Sequence, residues 1–503
     1  MSIKQWGFRA LPALTALAAL WAISPAAAQF NRARPFAVQL EKSPLSGGVL
    51  MARAIRAGKI DLKGLALAGK SPVLKCTPAP CALPNVQASE GGQPVDETPI
   101  SVDPNNAKHV ITAGNDYNCS TLTGFYASTN GGSTWTATCG TLAAGASGGD
   151  GDPAVAWDLN GVAYRGGIDA TPDGLSEIVV GTSSDNGKTW TTPVVAAQAS
   201  GIFMDKEWME IDTNTDSPLK NNIYLSITQF YSNNDSQIGV SHSIDGGQTW
   251  TLVNADTRQV YPNIDQFSDL AIGKDGTVYL SWMRCTANGP SGDCGGTTAS
   301  MWSAKSTDGG ATWSSPVKIG KAALAPDNCG AFYGCLPNTS ERVSNIPVIA
   351  IDNSSGAFLG KLYVIDYKWT GTYMKVQVAS STDGGATWSK PIGVAPKTNK
   401  RDQFFPWINV SSTGLVGATW LDRRNDAANV SYDAFGASSA DGGTTYPNLQ
   451  LSTVSSNPFN DGFGSGFMGD YTGNAWAGNK LFASWSDTRN GSDTQDEVGG
   501  LIP

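Results

Sequence analysis

The chain has 503 residues, a net charge of −9, 58 glycines, 15% charged residues and only two histidines. An acidic chain without a basic run is a poor partner for nucleic acid or an anionic membrane surface. Abundant glycine with few charges suits short strands and tight turns, and two histidines argue against histidine-based catalysis and against a zinc site.

The first element is an export signal. Lys4 and Arg9 supply a basic region, Leu11 to Ile23 an apolar core, and Ala26-Ala27-Ala28 a small-residue cleavage site before Gln29. The apolar run is too short to span a bilayer stably, and no second stretch approaches that length. Residues 1–28 therefore read as a signal peptide and the mature protein as secreted or periplasmic, without membrane insertion. Residues 29–96 form a separate arm or pro-region. A short helix is expected over Ala52 to Leu67, with Arg53, Arg56 and Lys63 on a solvated face, followed by a linker broken by Pro78, Pro80, Pro84 and Gly91-Gly92.

Eight cysteines fall into four close pairs: Cys76 with Cys81, Cys119 with Cys139, Cys285 with Cys294, and Cys329 with Cys335. Sequential pairing is the simplest framework for an exported chain, although connectivity does not follow from sequence. No Cys-x-x-Cys is present, so a metal reading is set aside.

From residue 97 to 503 two repeats alternate. The first is a short apolar strand, a turn and a second strand, running Ile100 to Val102 with Val110 to Ala113, and Ala154 to Trp157 with Val162 to Arg165. It returns at Met209 to Ile211 with Ile223 to Ile227, Leu270 to Ile272 with Val278 to Trp282, and Val348 to Ile351 with Leu362 to Ile365. The last copies are Trp407 to Val410 with Val416 to Trp420, and Gly473 to Trp476 with Leu481 to Trp485. Alternation and β-branched or aromatic residues predict strands.

The second repeat is Ser-x-Asp-x-Gly-x-Thr-Trp, with clean copies starting at Ser183, Ser243, Ser306 and Ser381. Ser128 opens a variant with Asn130 in the Asp position, and Ser439 one that ends in Tyr446. Asp-Gly-Gly and Asn-Gly are hairpin turns, because Gly accepts positive φ and the Asp caps its own turn. Six copies mark Asn130, Asp185, Asp245, Asp308, Asp383 and Asp441 as structural, since a site needs few copies and a fold needs many. Each unit reads strand, strand, strand, Asp-block turn, strand, which is one four-stranded propeller blade.

On these residues the chain resembles the sialidase (neuraminidase) superfamily, whose bacterial neuraminidase or Asp-box repeat the second motif matches. The resemblance covers roughly Glu97 to Gly491. It implies an all-β propeller of antiparallel blades with the Asp-box hairpins on outer turns, away from any active site. Sialidases have six blades. Seven strand pairs favour seven here, with six the alternative and the last blade closing through Asp493 to Pro503 and an N-terminal strand.

In such a fold two rings of residues converge on the face opposite the Asp-blocks. The entries to the inner strands offer Glu97, Asp152, Asp205 with Glu207, Gln266 with Asp269, Asn345, Gln403, and Asp470 with Tyr471. The loops after the second strands offer Asp116, Arg165 with Asp169, Arg284, Asp366 with Lys368, Asp422 with Arg423 and Arg424, and Asp487 with Arg489. Crowded carboxylates raise one another's pKa, as general-acid chemistry requires. Asp152, Asp205 and Asp470 are thus the candidate catalytic acids, with Tyr471 a candidate nucleophile. Glu97, Arg165, Glu207, Arg284, Arg423 and Arg489 are candidate substrate contacts. The Trp-x-Asp-x-Arg copies at Trp420 and Trp485 read equally as ion pairs between blades.

The resemblance implies an Arg-Ile-Pro-like motif on the first blade, two further substrate-clamping arginines, an acid Asp and a Tyr paired with Glu. Here no Arg lies between Arg56 and Arg165, and the first blade opens Glu97-Thr98-Pro99. The first clamp position is missing. Two functions stand: a carbohydrate-active enzyme of glycoside hydrolase type acting on an extracellular glycan or glycoconjugate, and a non-catalytic propeller binding glycan, protein or cell-wall material. No cofactor is expected. Asp150-Gly151-Asp152 and Asn233-Asn234-Asp235 are oxygen-rich but lack the ligand order of a calcium loop.

Overall fold

Seven antiparallel sheets form the blades of one propeller. The computed structural model describes residues 43–60, 78–464 and 466–503; the expected signal peptide, Lys63 and Cys76 lie outside them. The second blade shows the plan, with strands Gly148–Trp157, Ala163–Ala170, Ser176–Ser183 and Val194–Ala197 paired in sequence order. Blades three to six repeat it from inner strands Ile202–Ile211, Asn263–Ile272, Val348–Ile351 and Gln403–Val410. All seven expected strand pairs are the inner and second strands of a blade.

Seven blades form because the seventh, which carries no Asp-block, is completed from both ends of the sequence. Gly473–Ala477, Lys480–Asp487 and Gln495–Ile502 supply three strands. Cys81–Ala82 and Val86–Gln87 pair antiparallel with the last of them and stand as the fourth. The ring is thus closed by strand pairing between distant parts of the chain, and the propeller begins upstream of Glu97. Val95–Asp96 likewise extends the inner edge of the first blade.

Trp157, Trp282, Trp420 and Trp485 are fully buried. Each removes a large apolar area from water, on the order of several kcal/mol of gross burial energy per side chain. Three disulfides join Cys119–Cys139, Cys285–Cys294 and Cys329–Cys335. The Cys76–Cys81 pairing lies outside the described residues. Among those residues no helix is long and apolar enough to cross a membrane.

The Asp-block turns have the expected geometry. In the third blade Ser243 Oγ donates to Asp245 Oδ1 at 2.8 Å and accepts the Gly247 amide at 2.9 Å. Asp245 in turn accepts the Thr249 amide at 2.9 Å and its hydroxyl at 2.6 Å. The same Ser–Asp and Ser–Gly bonds recur at Ser183, Ser306, Ser381 and Ser439, and Asn130 takes the Asp role beside Ser128.

Among the described residues one α-helix, α1, spans Gly47–Arg56. It starts earlier than the expected Ala52 because Ser46 is its N-cap, its hydroxyl accepting the Val49 amide. It stops at the exposed turn Ala57-Gly58, where Gly58 takes φ 64°.

Candidate acidic site at the strand entries

The inner strands do not enter their blades straight. Glu97, Asp152, Lys206, Phe267 and Phe405 occupy equivalent entry positions, and all five adopt positive φ, between 46° and 62°. In blades two, three, four and six the strand register slips at this point. Each is a bulge led by a left-handed non-glycine residue, a conformation costing roughly 1–3 kcal/mol that persists only where surrounding structure imposes it. The consequence is a ring of side chains turned out of the regular pleat.

Beside this ring the carboxylates meet. Asn115 Nδ2 donates to Glu97 Oε2 at 2.8 Å and to Asp96 Oδ1 at 2.9 Å, while its Oδ1 accepts the Asp152 amide at 2.8 Å. Glu97 Oε1 accepts the Asp470 amide at 3.0 Å. Asp205 Oδ2 accepts Gln266 Nε2 at 2.7 Å. Glu97, Asp152, Asp205, Glu207 and Asp470 are all buried. Among the described residues, both carboxyl oxygens of Asp152 and of Glu207, and Oδ1 of Asp205, meet no hydrogen-bond donor.

Burial pushes Glu97 up to about 8, with the charge of Asp470 adding to it. Burial and then the neighbouring Glu97 charge raise Asp152 as well. A charge on one of the two carboxyls disfavours a charge on the other, so the pair resists double ionisation. Asp205 is also raised by burial but is opposed by donors from Ser46 and Gln266. It is the better placed of the three to carry charge.

Two cations stand among the acids. Arg342 forms a bidentate pair with Asp470, Nε to Oδ1 and Nη2 to Oδ2, both at 2.9 Å, with both side chains fully buried. Lys206 Nζ lies 4.0 Å from the ring centre of Tyr471 and 4.9 Å from that of Trp208. The Tyr471 hydroxyl donates to the Pro153 carbonyl at 2.8 Å, and burial pushes its pKa well up. Tyr471 is thereby held as a neutral phenol between blades.

The other sequence candidates lie elsewhere. Arg165 donates to Thr141, Arg284 bridges Asp265 and Asp256, and Arg423 is buried against Asp402 and the Pro337 carbonyl. Arg489 pairs with Asp487 and Glu497. In both Trp-x-Asp-x-Arg copies the Trp indole and the Arg bind the intervening Asp, so the ion pairs lie within one blade and not between blades as expected. Asn345 and Gln403 bind backbone of strand Leu362–Trp369 and of strand Met374–Ser381. Asp269 accepts the Ile349 amide of the next blade.

The entry face is covered by α1. The Ser46 amide donates to Asp205 Oδ2 and the Gly47 amide to Asp470 Oδ2, each at 2.7 Å. The positive end of the helix therefore rests on the acids. A Cβ on Gly47 would fall 2.2 Å from Phe467, and one on Gly48 would fall 2.4 Å from Asp152 Oδ1. Only glycine permits that approach. Tyr333 and Arg342, both on the long connection between blades four and five, hold the Pro44 and Leu45 carbonyls at 2.7 and 3.0 Å. Val49, Met51, Ala52 and Ala54 are buried, Met51 in a cluster with Tyr117, Phe463 and Phe467. Arg56 pairs with the buried Asp150 while itself staying exposed.

A cavity of ≈ 610 Å³ occupies the propeller axis on the other side. Its walls are the inner strands and its mouth the turns after them, on the Asp-block face. Trp208 and Trp407, 4.4 Å apart between ring centres, line it, and both also pack against Tyr471 at the entry ring. Among the described residues no group of three or more His, Cys, Asp or Glu is arranged to hold a metal ion.

Arg342, Lys206, Asn115 and the Ser46-Gly47-Gly48 turn were not singled out from sequence. Ser46 before an apolar run is an N-cap signal and was available. Arg342 sits in an irregular connection with no repeat to flag it.

No family model matches the chain, and a search of curated proteins finds no match. Solved structures with a similar chain path include the Hadza microbial sialidase Hz136, 13% identical over 84% of this chain and 70% of that one, with a TM-score of 0.44. An α-L-arabinanase of Penicillium chrysogenum is 13% identical over 70% and 92%, with a TM-score of 0.43. The intramolecular trans-sialidase of Ruminococcus gnavus is 12% identical over 71% and 94%, with a TM-score of 0.45. What this chain has in common with them is a similar chain path.

Proposed function

We propose that the protein is an exported carbohydrate-active enzyme that hydrolyses a glycosidic bond at the strand-entry face. The observation that carries the reading is the meeting, from separate blades, of two buried carboxyls of raised pKa (Glu97 and Asp152) with an oriented carboxylate (Asp205). Glycoside hydrolysis needs one acid that keeps its proton at working pH and one that stays ionised. In this reading the Glu97–Asp152 pair donates the proton to the leaving oxygen. Asp205 acts on the anomeric centre as nucleophile or through water. Asp470, oriented by Arg342, and Glu207 bind substrate hydroxyls. The signal-like N-terminus and three disulfides support an extracellular or periplasmic setting.

The test is hydrolysis of fluorogenic sialosides, uronides, furanosides and neutral glycosides by the protein and by a Gly48→Leu variant that lifts α1, each with and without Asp152→Asn and Asp205→Asn. Turnover of one glycoside, abolished by either Asn substitution, is expected. Its kcat/KM should fall as pH rises through about 8, where Glu97 loses its proton. Silence in every variant, with α1 shown to be open, would retire the hydrolase reading. A second reading, a non-catalytic binding propeller, is favoured by one observation: the acids already bind a polypeptide segment, the start of α1.

A further inference from the structure

We propose that α1 is a built-in, displaceable occupant of the acidic site, and that the ligand which takes its place is a neutral or ammonium-bearing sugar rather than a carboxylate-bearing one. The sugar identity rests on the reading above; the occupancy of the site by the helix does not.

Three observations point this way. The contact is made by groups that imitate a ligand, since the Ser46 and Gly47 amides give Asp205 and Asp470 the donors that sugar hydroxyls would give. The approach is made to fit by Gly47 and Gly48, where any Cβ collides with Phe467 or Asp152. The fit is nevertheless incomplete. Among the described residues, the fully buried Asp152, with Oδ1 facing Gly48, and Glu207 meet no hydrogen-bond donor, and Lys206 Nζ meets no acceptor. Unsatisfied buried groups of this kind are rare in a finished interior and mark a place where another molecule belongs.

Charge sets the ligand class. Asp96, Glu97, Asp152, Asp205, Glu207 and Asp470 surround the site against Lys206 and Arg342. Arg342 is already held by Asp470 through two bonds, so it is not free to clamp a carboxylate. The present occupant agrees, because a helix N-terminus brings N–H donors and partial positive charge. The carboxylate of a sialic or uronic acid has no N–H or O–H to give Asp205 and Asp470 in place of the helix amides.

Lifting α1 does not require unfolding the propeller. The helix belongs to no blade, and Ala57-Gly58-Lys59 beyond it is exposed. Its anchors are the amide bonds, the Arg56–Asp150 pair and the apolar face around Met51.

The experiment uses the full chain, Gly48→Leu and Arg56→Ala. Hydrogen–deuterium exchange of residues 46–57 reads whether the helix is seated. A glycan array divided into neutral, amino-sugar and carboxylate-bearing classes reads what the site takes. Gly48→Leu tests the contact over the acids, and Arg56→Ala loosens the helix from outside them should the first variant fold poorly. Faster exchange confined to α1 is expected in both, with at least a tenfold gain over the parent chain in retention on neutral or amino-sugar glycans. Unchanged binding while α1 exchanges freely, no binding in any class, or a gain confined to carboxylate glycans would each overturn the proposal. Binding gained without turnover would sink the hydrolase reading and leave this one intact.

Discussion

Each end of the propeller carries a set of aspartates, and the two sets are held in opposite ways. At the Asp-block turns Asp185, Asp245, Asp308 and Asp383 each accept a serine hydroxyl, a threonine hydroxyl and a backbone amide. Those bonds hold their pKa down at about 2. At the strand entries Glu97, Asp152 and Glu207 are buried with fewer donors than they have lone pairs, and their pKa values are pushed up. Repetition with full hydrogen bonding makes the first set a folding device. Irregularity with missing partners sets the second apart from the repeated supports of the fold.

The contrast is broken most severely by pH, because the two sets respond with opposite signs. Buried acids raised in the folded state, among them Glu97 near 8, Asp269 and Asp366 near 7 and Asp169 near 6, bind protons more tightly folded than unfolded. Their contribution is full below the unfolded pKa of about 4 and is lost as pH rises through the folded values. The Asp-block acids contribute above about 4 and lose that contribution as pH falls toward about 2. Thermal denaturation across pH should therefore show a maximum at about pH 4–5, with Tm lower by on the order of 10 °C at about pH 9. A maximum at pH 8 would contradict the assignment of raised pKa values to the entry face.

Arg342→Ala is the next largest perturbation. It leaves Asp470 buried and unpaired, which costs about 3–5 kcal/mol in comparable cases, and it also frees the Leu45 carbonyl that seats α1. Chemical denaturation should read the loss, and exchange of α1 should rise with it. A change below 1 kcal/mol would show that the pair is not the keystone of the site.

The smallest effect belongs to a single turn. Ser243→Ala removes the hydroxyl that joins Asp245 to the Gly247 amide and should cost about 1–2 kcal/mol. The same substitution at Ser183 should match it, since the bonds are the same. Unequal costs at these two turns would argue that the copies are not equivalent supports.

Much of this was legible in the chain. The Ser-x-Asp-x-Gly-x-Thr-Trp copies and the paired apolar strands predict the blades, because both depend on local hydrogen bonding and local alternation. Asp152, Asp205, Glu97, Glu207 and Asp470 were legible as acids placed at strand entries, and the structure brings them together. The arginines were not legible in the same way. Arg165, Arg284, Arg423 and Arg489 follow the second strands as a clamp would, yet each finds its partners nearby. Arg342, which does reach the acids, comes from the connection after blade four and carries no periodic signal.

The sequence by itself determined an all-β propeller with one hairpin device repeated six times and acids gathered at the opposite ends of the inner strands. Those properties are written in patterns of eight residues or fewer, and such patterns act through neighbours in the chain. Only the tertiary structure decided that seven blades close through Cys81–Gln87, that Glu97 and Asp152 come together as buried acids with raised pKa, and that the Ser46-Gly47-Gly48 turn lies over them. Each of these joins residues distant in sequence. Their energies depend on burial and on three-dimensional proximity, which no local pattern records.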